Sequence, residues 1–175
     1  MNERIILIFG RTGSGKSTLA KKIINDEKRV IILDPLSEYD GTICTNVLDA
    51  IDYAEHNETF QIVCRFNNDY DIDFMFRAIY FLKNILLVVE EAEIYISPNS
   101  RSSDFLYLVR YGRHSNIKIL GIARRVAELG TDFKAQVNKI ISFKQILKND
   151  LDILKYYGFN NLENLREYEY SEIVL

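Results

Sequence analysis

Glycine recurs at the spacing that lets a backbone curl around an anion in Gly10-Arg11-Thr12-Gly13-Ser14-Gly15-Lys16-Ser17, a complete G-x-x-x-x-G-K-[S/T] run. The glycines let successive N–H groups turn inward, and a helix opening near Lys16 aims its positive dipole end at the same point. The chemistry is phosphate binding. Lys16 is placed to reach the β and γ phosphates of ATP, Ser17 to ligate Mg2+, and Thr18 to complete the phosphate-contacting set. A second group of candidates closes the apolar run Ile85-Leu86-Leu87-Val88-Val89, which ends in Glu90-Glu91. Two carboxylates at the carboxyl end of a buried strand sit at the ligand-binding edge of a parallel sheet. Adjacent strand residues point to opposite sides, so Glu90 is directed at the Mg2+ shell and Glu91 at the γ-phosphate, to orient and deprotonate a water. That second carboxylate separates a hydrolase from a simple nucleotide binder.

Positioning such groups takes a scaffold, and the chain supplies one. Apolar runs rich in Ile and Val recur at 4–9, 29–33, 60–64, 85–89, 117–122 and 139–143. They alternate with amphipathic or polar segments at 16–25, 46–56, 71–83, 102–111, 131–137 and 148–157. Near-continuous apolar strands separated by helices predict an α/β fold, a mostly parallel sheet covered by helices on both faces. Asp34-Pro35 closes the second strand, Ser97-Pro98-Asn99-Ser100 reads as a loop, and Gly112 suits the C-terminal cap of the helix before it. After Gly158, alternation of Tyr168 and Tyr170 with Glu167 and Glu169 predicts an edge strand or hairpin.

A chain of 175 residues, 47% of them hydrophobic, suits one well-packed domain, here residues 1–175 with a core at 4–157 and an edge strand or tail at 158–175. No stretch approaches a membrane span, and the N-terminus enters the first strand directly, so the expectation is a soluble intracellular (cytoplasmic) protein. Cys44 and Cys64 lack a C-x-x-C partner and read as two reduced, half-buried thiols. The net charge of −3 conceals an asymmetry: between Arg101 and Lys148 ten basic residues face three acidic ones, a local +7 that leaves −10 on the rest. Either one basic face toward polyanions or evenly solvated side chains gives that count. The eleven tyrosines and ten phenylalanines lie mostly at core spacing.

Four segments, in order, resemble the HerA/FtsK group of ring-forming, DNA-translocating ATPases, whose fold is the P-loop NTPase of the additional-strand, catalytic-glutamate type. Gly10 to Ser17 is similar to G-K-T-G-S-G-K-S. Val30-Ile31-Ile32-Leu33-Asp34-Pro35 followed by Glu38-Tyr39 is similar to a strand with D-P-x-G-E-Y, and Glu90-Glu91-Ala92-Glu93 to D-E-A-H. Arg110-Tyr111-Gly112-Arg113, the run 117–122 and Arg124-Arg125-Val126-Ala127-Glu128-Leu129 parallel G-R, strand, Q-R-P-x-x-L. The resemblance spans about residues 4 to 157, and chain length matches the small viral members that drive genome packaging.

The resemblance carries further expectations. The strand at 117–122 should lie between the P-loop strand and the strand ending at Glu90. Partners would be double-stranded DNA, further copies of the chain in a pentameric or hexameric ring, and a capsid portal or vertex protein. Ring ATPases use an arginine from the neighbouring subunit at the transferred phosphoryl group; the G-R element makes Arg113 the first candidate, Arg110 the second and Arg124 the third, with DNA-backbone contacts as their alternative role. His114 beside them reads as a solvated loop residue. Three departures stand out: Glu90 replaces the usual Asp, Ser37 replaces a glycine, and Arg124 replaces a glutamine that senses the γ-phosphate, so Arg124 either contacts phosphate as a cation or faces DNA. Competing readings are a cellular HerA-like translocase or helicase, a small-molecule P-loop kinase and a non-catalytic ATP-binding scaffold. A water-activating Glu91 argues against the last two, and Asn138-Lys139-Ile140-Ile141 lacks the N-K-x-D guanine reader of a GTPase.

Overall fold

The computed structural model describes residues 3–98 and 102–175. In chain order the elements are β1 (Ile5–Phe9), α1 (Lys16–Ile24), β2 (Arg29–Leu33), β3 (Thr42–Cys44), α2 (Val47–His56), β4 (Phe60–Cys64), α3 (Asp69–Leu82), β5 (Leu86–Val89), α4 (Glu93–Ile96), α5 (Ser103–Tyr111), β6 (Lys118–Ala123), α6 (Thr131–Lys134), β7 (Lys139–Phe143), α7 (Lys148–Tyr156) and β8 (Tyr170–Val174). All six apolar runs are strands, because unbroken Ile, Val and Leu can bury on both sides of a pleat at once. β3 and α4 escape sequence reading: three and four residues are too few for either period to register.

The strands form one sheet in the order β3-β4-β2-β5-β6-β1-β7-β8. Every pairing is parallel except β7 with β8, which places the C-terminal strand antiparallel on one edge as expected. β6 lies between β5 and β1, with Ile5 opposite Ile119 and Leu86 opposite Lys118. The two faces are covered unequally. Ile6, Ile8, Val30, Ile32, Val88 and Leu120 pack under Ala20 and Ile24 of α1 and under Tyr39. The opposite face, with Leu7, Phe9, Ile31, Leu87 and Ile119, packs against residues of α2, α3, α5, α6 and α7.

Four local expectations change. Gly112 follows α5 but is right-handed (φ −55°) and opens a 3-10 turn, Gly112–Ser115; the left-handed reversal falls at Asn116 (φ 53°). Glycine is needed at 112 for space, since a Cβ there would lie 3.1 Å from the Ile117 Cβ. Cys44 and Cys64 are not half-buried and unrelated: both are buried and free, and they are register partners on β3 and β4. The basic excess at 101–148 does not gather into one face, because Lys118 pairs with Glu27, Arg125 with Asp150 and Glu128, Lys139 with Glu172, and Arg124 with Glu91 and Glu93. Of the loop read at 97–100, Ser97 and Pro98 are irregular; Asn99 and Ser100, like Arg101, lie outside the described residues. No described helix is long and apolar enough to cross a membrane.

Candidate functional site

The P-loop leaves β1 at the carboxyl edge of the sheet, where the Gly10 N–H donates to the Ala123 carbonyl at the end of β6 (3.3 Å). Gly10 tolerates no side chain: a Cβ would lie 2.6 Å from the Ser14 Oγ and 2.8 Å from the Phe143 Cβ. Gly13 and Gly15 hold φ of 79° and 101°, which keeps the loop concave. Arg11, Thr12, Gly13 and Ser14 form the crest, tied by a 3.1 Å bond from the Ser14 N–H to the Arg11 carbonyl.

Asn46, Asn68 and Ser102 cap α2, α3 and α5 through side-chain oxygens, whereas α1 starts from Gly15 with no side-chain cap. The first-turn N–H groups of Lys16, Ser17 and Thr18 thus face the cleft lacking the acceptor a helix start needs. An anionic phosphate fits that place in charge and geometry. Lys16 reaches back across the mouth to donate to the Arg11 carbonyl (3.1 Å). Burial pushes its ammonium pKa down, and nearby Glu90, Glu91, Glu93 and Glu38 offset part of that shift.

The second wall comes from the segment after β2. Asp34, buried at its end, accepts the N–H groups of Glu38 (2.9 Å) and Tyr39 (3.2 Å) and a two-nitrogen contact from Arg65. This folds the chain so that Glu38 accepts from the Ser17 hydroxyl (2.5 Å) and the Tyr39 hydroxyl donates to Glu90 (2.5 Å). Ser37 occupies φ 59°, the left-handed region. The family's glycine at this place is thereby explained, and serine holds the same turn at some strain.

Glu90 is 3% exposed, and burial raises its carboxyl to about 7, with Glu38 and Glu91 adding to the shift while Tyr39 and Lys16 oppose it. Glu91 diverges from Glu90 for a reason other than strand alternation: β5 has already ended at Val89, and Glu91 sits in a turn at φ 49°. Its carboxylate meets Arg124 Nε at 3.0 Å, and Arg124 Nε lies 3.3 Å from Glu93. The pKa of Glu91 is raised, first by burial and then by Glu93, against the lowering effect of Arg124.

These groups enclose a cavity of about 430 Å³ bounded by Thr12 to Thr18, Lys21, Glu38, Glu90, Glu91 and Tyr168. Among the described residues no cluster of three or more His, Cys, Asp or Glu stands ready to hold a metal. That donor set fits Mg2+, which takes one or two protein oxygens, here Ser17 and Glu90, beside substrate phosphates and water. A second cavity of about 390 Å³ lies across the P-loop, between Arg11 to Ser14, Phe143, Lys144 and the stretch Arg166 to Glu169.

The structure brings together Gly10 to Thr18, Glu90, Glu91 and Arg124. It does not bring Arg110 or Arg113 to the same cleft. Both precede β6, at the amino edge of the sheet, about 20 Å from Arg124 by the length of that strand. Arg110 is 3.9 Å from Asp132, and Arg113 Nε is 3.4 Å from Nε2 of His114, which is exposed as expected. Sequence reasoning assigned no site role to Glu38, Tyr39, Arg65, Glu93 or Tyr168. The D-P-x-x-E-Y match was the available signal for the first two; nothing in the sequence marked Tyr168.

A P-loop between β1 and α1, carboxylates after β5 and an inserted β6 define a P-loop NTPase of the additional-strand type. The profile of the HerA helicase central domain matches residues 1–93, and the chain belongs to that family. No curated protein sequence matches the chain. Among solved structures it is similar to the genome packaging NTPase B204 of Sulfolobus turreted icosahedral virus 2 in complex with AMPPCP, at 21% identity and a TM-score of 0.83, covering 99% of this chain and 94% of that one. It is likewise similar to B204, the DNA-packaging ATPase from Sulfolobus turreted icosahedral virus, at 20% identity and a TM-score of 0.79 over 99% and 94% of the two chains. The pCW3 conjugation coupling protein TcpA with ATPγS shares the fold more distantly, at 15% identity and a TM-score of 0.60 over 86% of this chain and 51% of that one.

Proposed function

We propose that the chain hydrolyses ATP and couples hydrolysis to movement of double-stranded DNA, as the packaging motor of a viral genome working in a homo-oligomeric ring. The observation that carries the hydrolytic part is Glu91: a carboxylate held beyond the end of β5, lining the same cavity as Lys16 and Ser17. Lys16 leaves the Arg11 carbonyl to neutralise the β and γ phosphates, and the α1 N-terminus receives them. Ser17 leaves Glu38, and Glu90 stays oriented by Tyr39. Mg2+ bound with ATP would supply charge neutralisation across the phosphates. Glu91 accepts the proton of the water that attacks the γ-phosphorus.

The DNA part rests on HerA family membership and on likeness to packaging and conjugation motors. A portal or vertex protein of a capsid is the docking partner this reading implies. Arg113, with Arg110 behind it, suits a finger acting on the neighbouring subunit, because its own cleft is a strand length away. A kinase reading loses support from β6, which separates the P-loop strand from the strand bearing the acids.

Steady-state ATP turnover with and without duplex DNA tests the proposal, and stimulation by DNA is the expected result. Glu91→Gln preserves shape while removing the base, so turnover should fall by about two orders of magnitude or more with nucleotide binding retained. Normal hydrolysis by Glu91→Gln would remove that residue from the mechanism.

A further inference from the structure

Arg124 stands at the cleft rather than away from it, and its contacts are unequal. One nitrogen, Nε, serves both Glu91 Oε2 (3.0 Å) and Glu93 Oε1 (3.3 Å), and the Arg124 backbone N–H also points at Glu93 Oε1 (3.4 Å). Among the described residues the two Nη groups have no acceptor, and the side chain is 53% exposed, against 15% for Glu91 and 9% for Glu93. The fork of the guanidinium is therefore open toward solvent. Its location is fixed by the bond from Gly10 to Ala123, which sets Arg124 beside the start of the P-loop, and it shares a cavity of about 380 Å³ with Arg11 and Thr12.

We infer that Arg124 is a positioning residue that holds Glu91 while the nucleotide cleft awaits ATP and exchanges it for the γ-phosphate, with Glu93 as the tether that keeps the guanidinium in place during the exchange. The inference rests on the ATPase reading above. A guanidinium fork matches phosphate oxygens better than a second shared Nε contact does, because it can make two parallel bonds to an anion of higher charge. Glu91, once released, has both lone-pair oxygens available for water. While paired, it is a poorer base, and it sits in a left-handed turn whose geometry the ion pair helps to hold. ADP lacks the γ-phosphate and leaves the pair intact, so the exchange distinguishes the two nucleotides.

A thermodynamic cycle tests this by calorimetric titration of AMPPCP and of ADP, each with Mg2+, into four chains: natural, Glu91→Gln, Arg124→Gln and the double variant. Glu91→Gln removes repulsion of the γ-phosphate in every background, but only with Arg124 present does it also abolish a competing ion pair. Its gain in AMPPCP affinity should therefore be about fivefold larger in the natural background than in the Arg124→Gln background, the scale of a partly exposed ion pair, while ADP shows no such coupling. Equal AMPPCP gains in both backgrounds, or equal coupling with ADP, would overturn the exchange. Should Arg124→Gln fail to fold, Arg124→Lys serves: its compact ammonium keeps the charge without the fork, and the coupling should drop to about twofold, whereas an undiminished coupling of about fivefold overturns the role given to the fork. A natural chain that binds neither nucleotide would sink the ATPase reading along with the inference; binding of both with an additive cycle sinks the inference alone.

Discussion

The two ends of the strands carry different kinds of charge. At the carboxyl edge each functional group already holds a protein partner that a ligand can displace: Lys16 holds the Arg11 carbonyl, Ser17 holds Glu38, and Glu91 holds Arg124. At the amino edge the charges are cations. Arg4 is partly buried, donates to the Val109 carbonyl and has its pKa lowered by burial and by Arg113, while Arg113 is exposed. The carboxyl edge is arranged for exchange within one chain, and the amino edge presents positive charge outward to something the chain does not itself contain.

The contrast can be broken from either side. The largest expected effect is Lys16→Ala, which should abolish nucleotide binding or turnover in an isolated subunit, measured by calorimetry and phosphate release. Arg113→Ala should leave the ATP affinity of the isolated subunit nearly intact yet remove stimulation on assembly, a loss of up to about a thousandfold in turnover. Mixing Arg113→Ala with Lys16→Ala subunits sharpens this, since some mixed interfaces pair an intact P-loop with an intact arginine. Activity recovered in co-assembled mixtures supports action in trans; none recovered would move the role to Arg110 or Arg124. A DNA-backbone role for Arg113 would instead leave basal turnover alone and flatten the salt dependence of DNA binding by about one unit of slope.

Smaller effects concern stability of the carboxyl edge. The Glu90 carboxyl is raised to about 7 from an ordinary 4.5, so the folded state holds its proton more tightly than the unfolded chain does. Stability is then lost as pH rises from the unfolded value through the folded one. Glu90→Gln should stabilise the nucleotide-free, Mg2+-free protein by about 2 kcal/mol above pH ~8, and the gain should vanish below pH ~4.5, read by urea unfolding across that window. The smallest effect is at Ser37: glycine relieves its left-handed backbone at the cost of unfolded-state entropy, a net gain of about 0.5 kcal/mol in the same assay.

What was legible in the sequence had a local cause. The P-loop and the runs around β1, β2, β5 and β7 could be read because contiguous residues make them, and the inserted position of β6 followed from the family resemblance. The pairing of Glu91 with Arg124 could not be read, since 33 positions separate them and only the adjacency of β5 and β6 joins their ends. Tyr168 borders the cleft because β8 turns back against β7, a long-range pairing without a sequence period. The turn at Glu91 was missed for another reason: an L residue at positive φ carries no signature when tertiary contacts hold it there.

The outermost strands have one more consequence. β3 is three residues long, and β8 closes the far side in antiparallel sense with Tyr170, Glu172 and Val174 exposed. Short or charged borders discourage strand addition from another molecule. Copies of the chain that gather around DNA would then meet through side chains and loops, not by extending a shared ladder of amide bonds. Such seams can open and reseal with every turnover, whereas a continuous intermolecular sheet would have to unzip.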